Sequence, residues 1–145
     1  MKKIVIGIIV LIMTNNVFSQ ADAYIEAMKK NIKDLDSNKT QQEWIVLSNS
    51  FERIAQMETD KWLPDYYVAY CNLMAAVMEK KKRKKDDFLD KAMTSIEKAE
   101  KLCEAENAEI LGLKSFIYQI QISVAPMKRG KSYGEKSDDC LTRAM

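Results

Sequence analysis

The chain contains no histidine. That removes Ser–His and Cys–His nucleophile pairs and the commonest protein ligand for zinc, copper and haem iron, so the main hydrolase and metalloenzyme readings lose their chemistry. Glycine is almost as scarce. None occurs between Gly7 and Gly112, and Gly112, Gly130 and Gly134 lack the spacing of a phosphate-cradling loop. Pro64 is the only proline before Pro126. A sheet protein needs frequent turn residues, so this shortage points to an all-α chain. The three cysteines, Cys71, Cys103 and Cys140, are odd in number and match no metal motif. If the helices flanking Lys80–Lys85 run antiparallel, Cys71 and Cys103 are offset by on the order of 12 Å, too far for a disulfide. All three read as small buried apolar residues, with an intermolecular disulfide as the alternative.

What is present begins with Lys2 and Lys3, an apolar run from Ile4 to Met13, and a polar-to-small passage ending at Ser19. The run is too short for a comfortable membrane span, and Val17 and Ser19 fit the −3 and −1 positions of a cleavage site before Gln20. Residues 1–19 therefore read as a secretory signal peptide, which implies a periplasmic or secreted protein; the alternative is an N-terminal membrane anchor. Of 23 Lys and Arg residues two lie in this leader, whereas all 21 Asp and Glu lie beyond it, so residues 20–145 are formally neutral. A neutral domain lacks the basic field that carries most nucleic-acid affinity, and no nucleic-acid partner is expected.

Ile25, Met28, Ile32 and Leu35 mark a first helix from about Asp22, broken at Asp36-Ser37-Asn38. Thr40 to Glu43 has the form of a capping box before a second helix, whose inner face carries Trp44, Leu47, Phe51, Ile54 and Ala55. A third helix starts at Trp62 with Pro64 in its first turn, and its stripes Tyr66/Tyr70/Leu73/Val77 and Tyr67/Cys71/Met74/Met78 mark it as sandwiched between neighbours. Lys80–Lys85 reads as a solvated turn with Asp86 and Asp87 at the next helix start, each matched to the local dipole; a docking site for an acidic or anionic surface is the alternative. A fifth helix carries Ile110, Leu113, Ile117, Ile120 and Val124, with Gly112 and Ser115 expected to permit close approach. Pro126 ends it, the glycine- and charge-rich stretch Met127–Gly134 reads as a connector, and a sixth helix is expected from Lys136 or Ser137.

The fourth helix organises the rest. Ala92, Ile96 and Ala99 share one face, followed by Leu102, an acidic turn and a new helix start at Asn107. This resembles the second half of a tetratricopeptide repeat (TPR), with Glu104 where that family usually has its turn proline. Ser137, Leu141 and Ala144 repeat the spacing of Ala92, Ile96 and Ala99. Pro126 to Gly134 is similar to a Pro-Met-x-Arg-Gly-x-x-Tyr-Gly segment of bacterial exported TPR-like proteins, and Trp62–Val77 and Leu89–Ile110 carry the rest of the likeness. The resemblance covers about half of the mature chain and implies TPR-like antiparallel hairpins stacked as a short α-solenoid: 22–58, 64–103 and 108–145, the last incomplete, with Ala92, Ile96, Ala99 and Leu102 as repeat-packing residues. It further implies an exported scaffold that binds an unidentified protein or peptide without catalysis.

For such a partner the candidate contacts are Lys128, Arg129, Lys131 and Tyr133, which suit a carboxylate, phosphate or acidic peptide, together with Tyr66 and Tyr70 in a groove. The bland readings are a polar connector for the first group and core packing for the second. Asp86, Asp87 and Asp90 are explained by a helix N-terminus, so neither a metal nor any other cofactor is expected. Self-association through an uncovered last helix is a further expectation. The alternative to the scaffold is a carrier that encloses a small apolar ligand among Met74, Met78, Met93 and Ile96; a groove favours the first reading and a closed apolar cavity the second.

Overall fold

Residues 22–36 and 39–145 are described by the computed structural model; the signal peptide expected at 1–19 lies outside them. The chain divides into two units between Asp36 and Ser37, and each is taken by itself. In the first, helix α1 (22–33) continues into a 3-10 turn at Asp34–Asp36. Met28 of its apolar stripe is buried, whereas Ile25 is exposed.

In the second unit, α2 (Gln41–Met57) starts where the capping box was expected: Thr40 Oγ1 accepts from the Glu43 amide at 3.3 Å, and the Glu43 carboxylate accepts from the Thr40 amide at 2.7 Å. Its buried face, including Trp44, Leu47, Phe51, Ile54 and Ala55, packs on α3 (Trp62–Met78). The Phe51 and Tyr67 rings stack at 4.9 Å, and buried Asn72 donates to Ser48 Oγ at 2.8 Å. These bonds remove the penalty of burying two polar side chains at a helix contact.

Helix α4 (Lys82–Leu102) begins earlier than its charge pattern suggests. The reversal from α3 needs only Glu79–Lys81, because the Glu79 carboxylate accepts the Lys81 amide at 2.9 Å and closes the turn. Lys82–Lys85 are therefore helical, and the first turn of α4 holds cations and no acid. The dipole match expected for Asp86 and Asp87 is not realised. Leu89, Ala92, Ile96 and Ala99 of α4 are fully buried, and Leu102 partly so. They meet Ala69, Leu73 and Ala76 of α3 and Ile110, Leu113, Ile117 and Val124 of α5 (Ala108–Val124) in one core. Alanines at the closest approach of α3 and α4 are what let two backbones pack without a void.

The largest departure from the sequence reading is α6, which runs from Pro126 to Ala144 with no connector at 127–134. Ala125 breaks the chain at φ −144° and ψ 69°, and Pro126 opens the new helix where its missing N–H is harmless. Gly130 and Gly134 lie inside the helix with no positive φ. Each costs about 1 kcal/mol of helix propensity, and contacts across to α5 and α4 offset it: Tyr133 packs edge-on against Tyr118 at 5.5 Å, and Arg129 grips Asp86. Buried Ser137 hydrogen-bonds Ser115 of α5 at 2.8 Å. The repeat spacing does not carry over to burial, since Leu141 is 41% exposed while Cys140 takes the buried position. Nor does Gly112 serve close approach, because a Cβ there would meet nothing within 4 Å.

Asp65 at the start of α3 meets Lys98 near the end of α4, and Ser115 and Tyr118 of α5 meet Ser137 and Tyr133 of α6. The unit is thus all-α, built of antiparallel helical hairpins, and α3 and α5 run parallel and touch. No helix among the described residues is long and apolar enough to cross a membrane.

Candidate functional site

Helix α3 is apolar nearly all round, yet its neighbours cover only part of it. Leu63, Tyr66, Tyr70, Met74 and Val77 recur at helical spacing on one face and are all half-buried or exposed, with Val77 43% exposed. Tyr66 and Tyr70 rest on the core, and Tyr70 meets the Trp44 ring of α2 edge-on at 5.8 Å. On α5, Gly112, Phe116 and Ile120 share a face in the same condition, Phe116 being 43% exposed. The Tyr66 phenol is pushed above its ordinary pKa by burial and then by the charge of Glu109 in the first turn of α5. Helices α3 and α5 touch, and Tyr66 and Tyr70 of one face and Ile120 of the other border the same core, so the two apolar faces adjoin.

This surface holds Tyr66 and Tyr70 of the expected partner-binding residues. The other four are on α6, which packs chiefly on α5. Lys128 and Lys131 are exposed. Arg129 is engaged in the fold: its guanidinium donates to both carboxylate oxygens of Asp86 at 2.6 and 3.2 Å and to the Gln121 carbonyl at 3.2 Å, with its Cζ 5.7 Å from the Tyr133 ring. Lys136 lies over both Tyr118 and Tyr133. Arg129 and Tyr133 are thus brought together, though as a clasp of α6 onto α5 and the start of α4, and Asp86 of the acidic group is taken up in it.

Two open cavities accompany the face. One of about 340 Å³ lies among α2, α3 and α4, with Ile45, Val68 and Phe88 below and Asn49, Glu52 and Lys91 around it. The other, of about 250 Å³, lies at the α4–α5 turn, where Arg143 hydrogen-bonds Glu106 over Cys103 and Leu111. Met74, Met78, Met93 and Ile96 line neither cavity. Ile96 is sealed in the core with Met93 packed against it, so the expected enclosed pocket is filled, and Met74 belongs to the open face instead.

Soft donors are few and muted. Cys71 is fully buried and its thiol is pushed up to about 12 by burial; burial also raises Cys140. All three cysteines are free thiols. Among the described residues no group of three or more Cys, Asp or Glu side chains is arranged to hold a metal ion. The chemistry the α3–α5 face offers is therefore apolar contact and aromatic stacking.

The residue that sequence reasoning missed is Phe116. Its signal was available: it falls about a quarter-turn off the Ile110/Leu113/Ile117 stripe, beside Gly112, Gln119 and Ser123, where an aromatic has little core to enter.

No protein-family model matches the chain, and no curated protein matches it. Among solved structures it is similar to the HusA haemophore from Porphyromonas gingivalis, with a TM-score of 0.71 and 31% identity over 83% of this chain. The chain spans 58% of the length of that structure.

Proposed function

We propose that this chain is a non-catalytic carrier that takes a planar apolar ligand of the haem class on the α3–α5 face. The observation that carries the reading is the likeness to a haemophore at 31% identity, and an uncovered apolar surface built of tyrosine, methionine and phenylalanine suits a flat macrocycle. Histidine is absent and the face offers apolar and aromatic contact, so on this reading the macrocycle supplies the affinity. Metal-free protoporphyrin is then expected to bind about as well as haem. Export through the 1–19 leader belongs to the same proposal, as does the TPR-like reading of the stacked hairpins, which the parallel contact of α3 and α5 supports.

The test is an absorbance titration of the chain with haem and with metal-free protoporphyrin, repeated on Phe116→Asp. Saturable binding of both, lost in the variant while its helical circular dichroism is kept, is the expected result. Absence of saturable binding overturns the reading. The open groove among α2, α3 and α4 favours a second reading, the peptide-binding scaffold. A peptide ligand displaced by Lys91→Glu and indifferent to Phe116→Asp would put the scaffold first.

A further inference from the structure

The apolar face has two unlike ends. Where α3 and α5 begin, acids and bases are mixed: Glu104 and Glu109 lie about the α4–α5 turn, Glu106 is paired with Arg143, and Lys61 caps α3. Where they end, Val77 and Met78 lead through Glu79 into Lys80–Lys85, and α5 leads into Lys128 and Lys131, so this end carries an excess of positive charge. The Arg129–Asp86 fork ties the two basic segments together, so they form one end of the unit. Lys80 to Lys84, Lys128 and Lys131 are exposed, and no ion pair or side-chain hydrogen bond engages their side chains among the described residues.

These cations do not serve the helices they sit on. α2, α3 and α5 each carry an acid in the first turn, Glu43, Asp65 and Glu109, whereas α4 and α6 carry none there and bear Lys82–Lys85, Lys128 and Arg129 instead. Positive charge in a first helical turn opposes the helix dipole and repels its neighbours. A concentration of charge that folding disfavours, at one end only of an apolar face, is complementary to a ligand with an apolar body and anionic groups along a single edge.

We propose that the basic end formed by Lys80–Lys84 and Lys128 receives the carboxylates of the ligand, so that a dicarboxylate macrocycle lies along α3 and α5 with its acidic edge toward the C-terminal ends of these helices. The assignment rests on the carrier reading and adds to it an orientation and a ligand class, the dicarboxylates.

The experiment compares metal-free protoporphyrin with its dimethyl ester, for the full chain and for the variant Lys80→Gln/Lys82→Gln/Lys84→Gln/Lys128→Gln, at low and high salt. Arg129 is left intact because it clasps Asp86, and thermal melts check that the variant folds. The free acid is expected to lose about tenfold in affinity in the variant, with a matching loss of salt dependence, while the ester binds both proteins alike. If acid and ester bind equally to both proteins, the basic end plays no part and the carrier reading stands without it. If neither binds, both readings fall. A variant that keeps the acid but no longer sediments with anionic vesicles assigns the basic end to a membrane surface and overturns the proposal.

Discussion

Helices α3 and α4 are neighbours with matching alanines at their contact, yet they finish differently. Every residue of α4 that faces away from the core is polar or charged, among them Lys91, Glu97 and Lys101, whereas α3 keeps Leu63, Tyr66, Tyr70, Met74 and Val77 on a face its neighbours do not close. On α5, Phe116 is likewise left 43% exposed beside Gly112 and Ile120. An amphipathic helix is completed by folding, because its apolar stripe is covered and its charge is left outside. Apolar surface that folding leaves uncovered on two adjoining parallel helices marks where a further molecule belongs.

The contrast is sharpest in stability. Leu89→Ala or Ile96→Ala in the sealed stripe of α4 should cost about 2–5 kcal/mol, and Val77→Ala or Phe116→Ala on the open face less than about 1 kcal/mol, in urea melts. Equal losses would mean that the α3–α5 face is core. Overpacking comes next: Ala92→Leu and Ala99→Leu are each expected to destabilise by about 1–3 kcal/mol, since both alanines are fully buried. Unchanged midpoints would show a looser α3–α4 contact than the one described.

Gly112→Ala reverses the sign. A Cβ there enters open space on the uncovered side of α5, so the variant should gain about 0.5–1 kcal/mol from helix propensity. A loss of stability would mean that the site is not open. The smallest effect lies on the covered side of α3. Burial raises the pKa of Asp65 despite its hydrogen bond to Lys98, so the native state holds its proton to higher pH than the unfolded chain does. Stability from this group falls as pH rises from the ordinary aspartate range through the raised value. Asp65→Asn should flatten that segment of the stability–pH curve, and a curve that keeps its slope would assign it to another group.

Much of this architecture was legible in the sequence because it depends on local rules. The capping box at Thr40, the start of α3 at Trp62 and the burial of Ala92, Ile96 and Ala99 follow from side-chain spacing. The start of α6 was hidden because two glycines within nine residues argue for a loop, and the contacts that override them, Tyr133 on Tyr118 and Arg129 on Asp86, are remote in sequence. The site was half legible. Tyr66, Tyr70 and Met74 were singled out, but apolar periodicity does not tell a covered stripe from an open one, so they were divided between a peptide groove and a closed pocket. The comparison with a haemophore favours the carrier, the second of the two functional readings, and the geometry supplies an open face for it rather than a cavity.

The central claim is tested most directly by amide and methyl NMR of the chain titrated with diamagnetic gallium protoporphyrin. Ring-current shifts from the macrocycle should saturate and concentrate at Leu63, Tyr66, Tyr70 and Val77 of α3 and at Gly112, Phe116 and Ile120 of α5, leaving Asn49, Lys91 and Ser95 in the opposite groove unmoved. Shifts confined to that groove, or shifts that never saturate, would contradict the account.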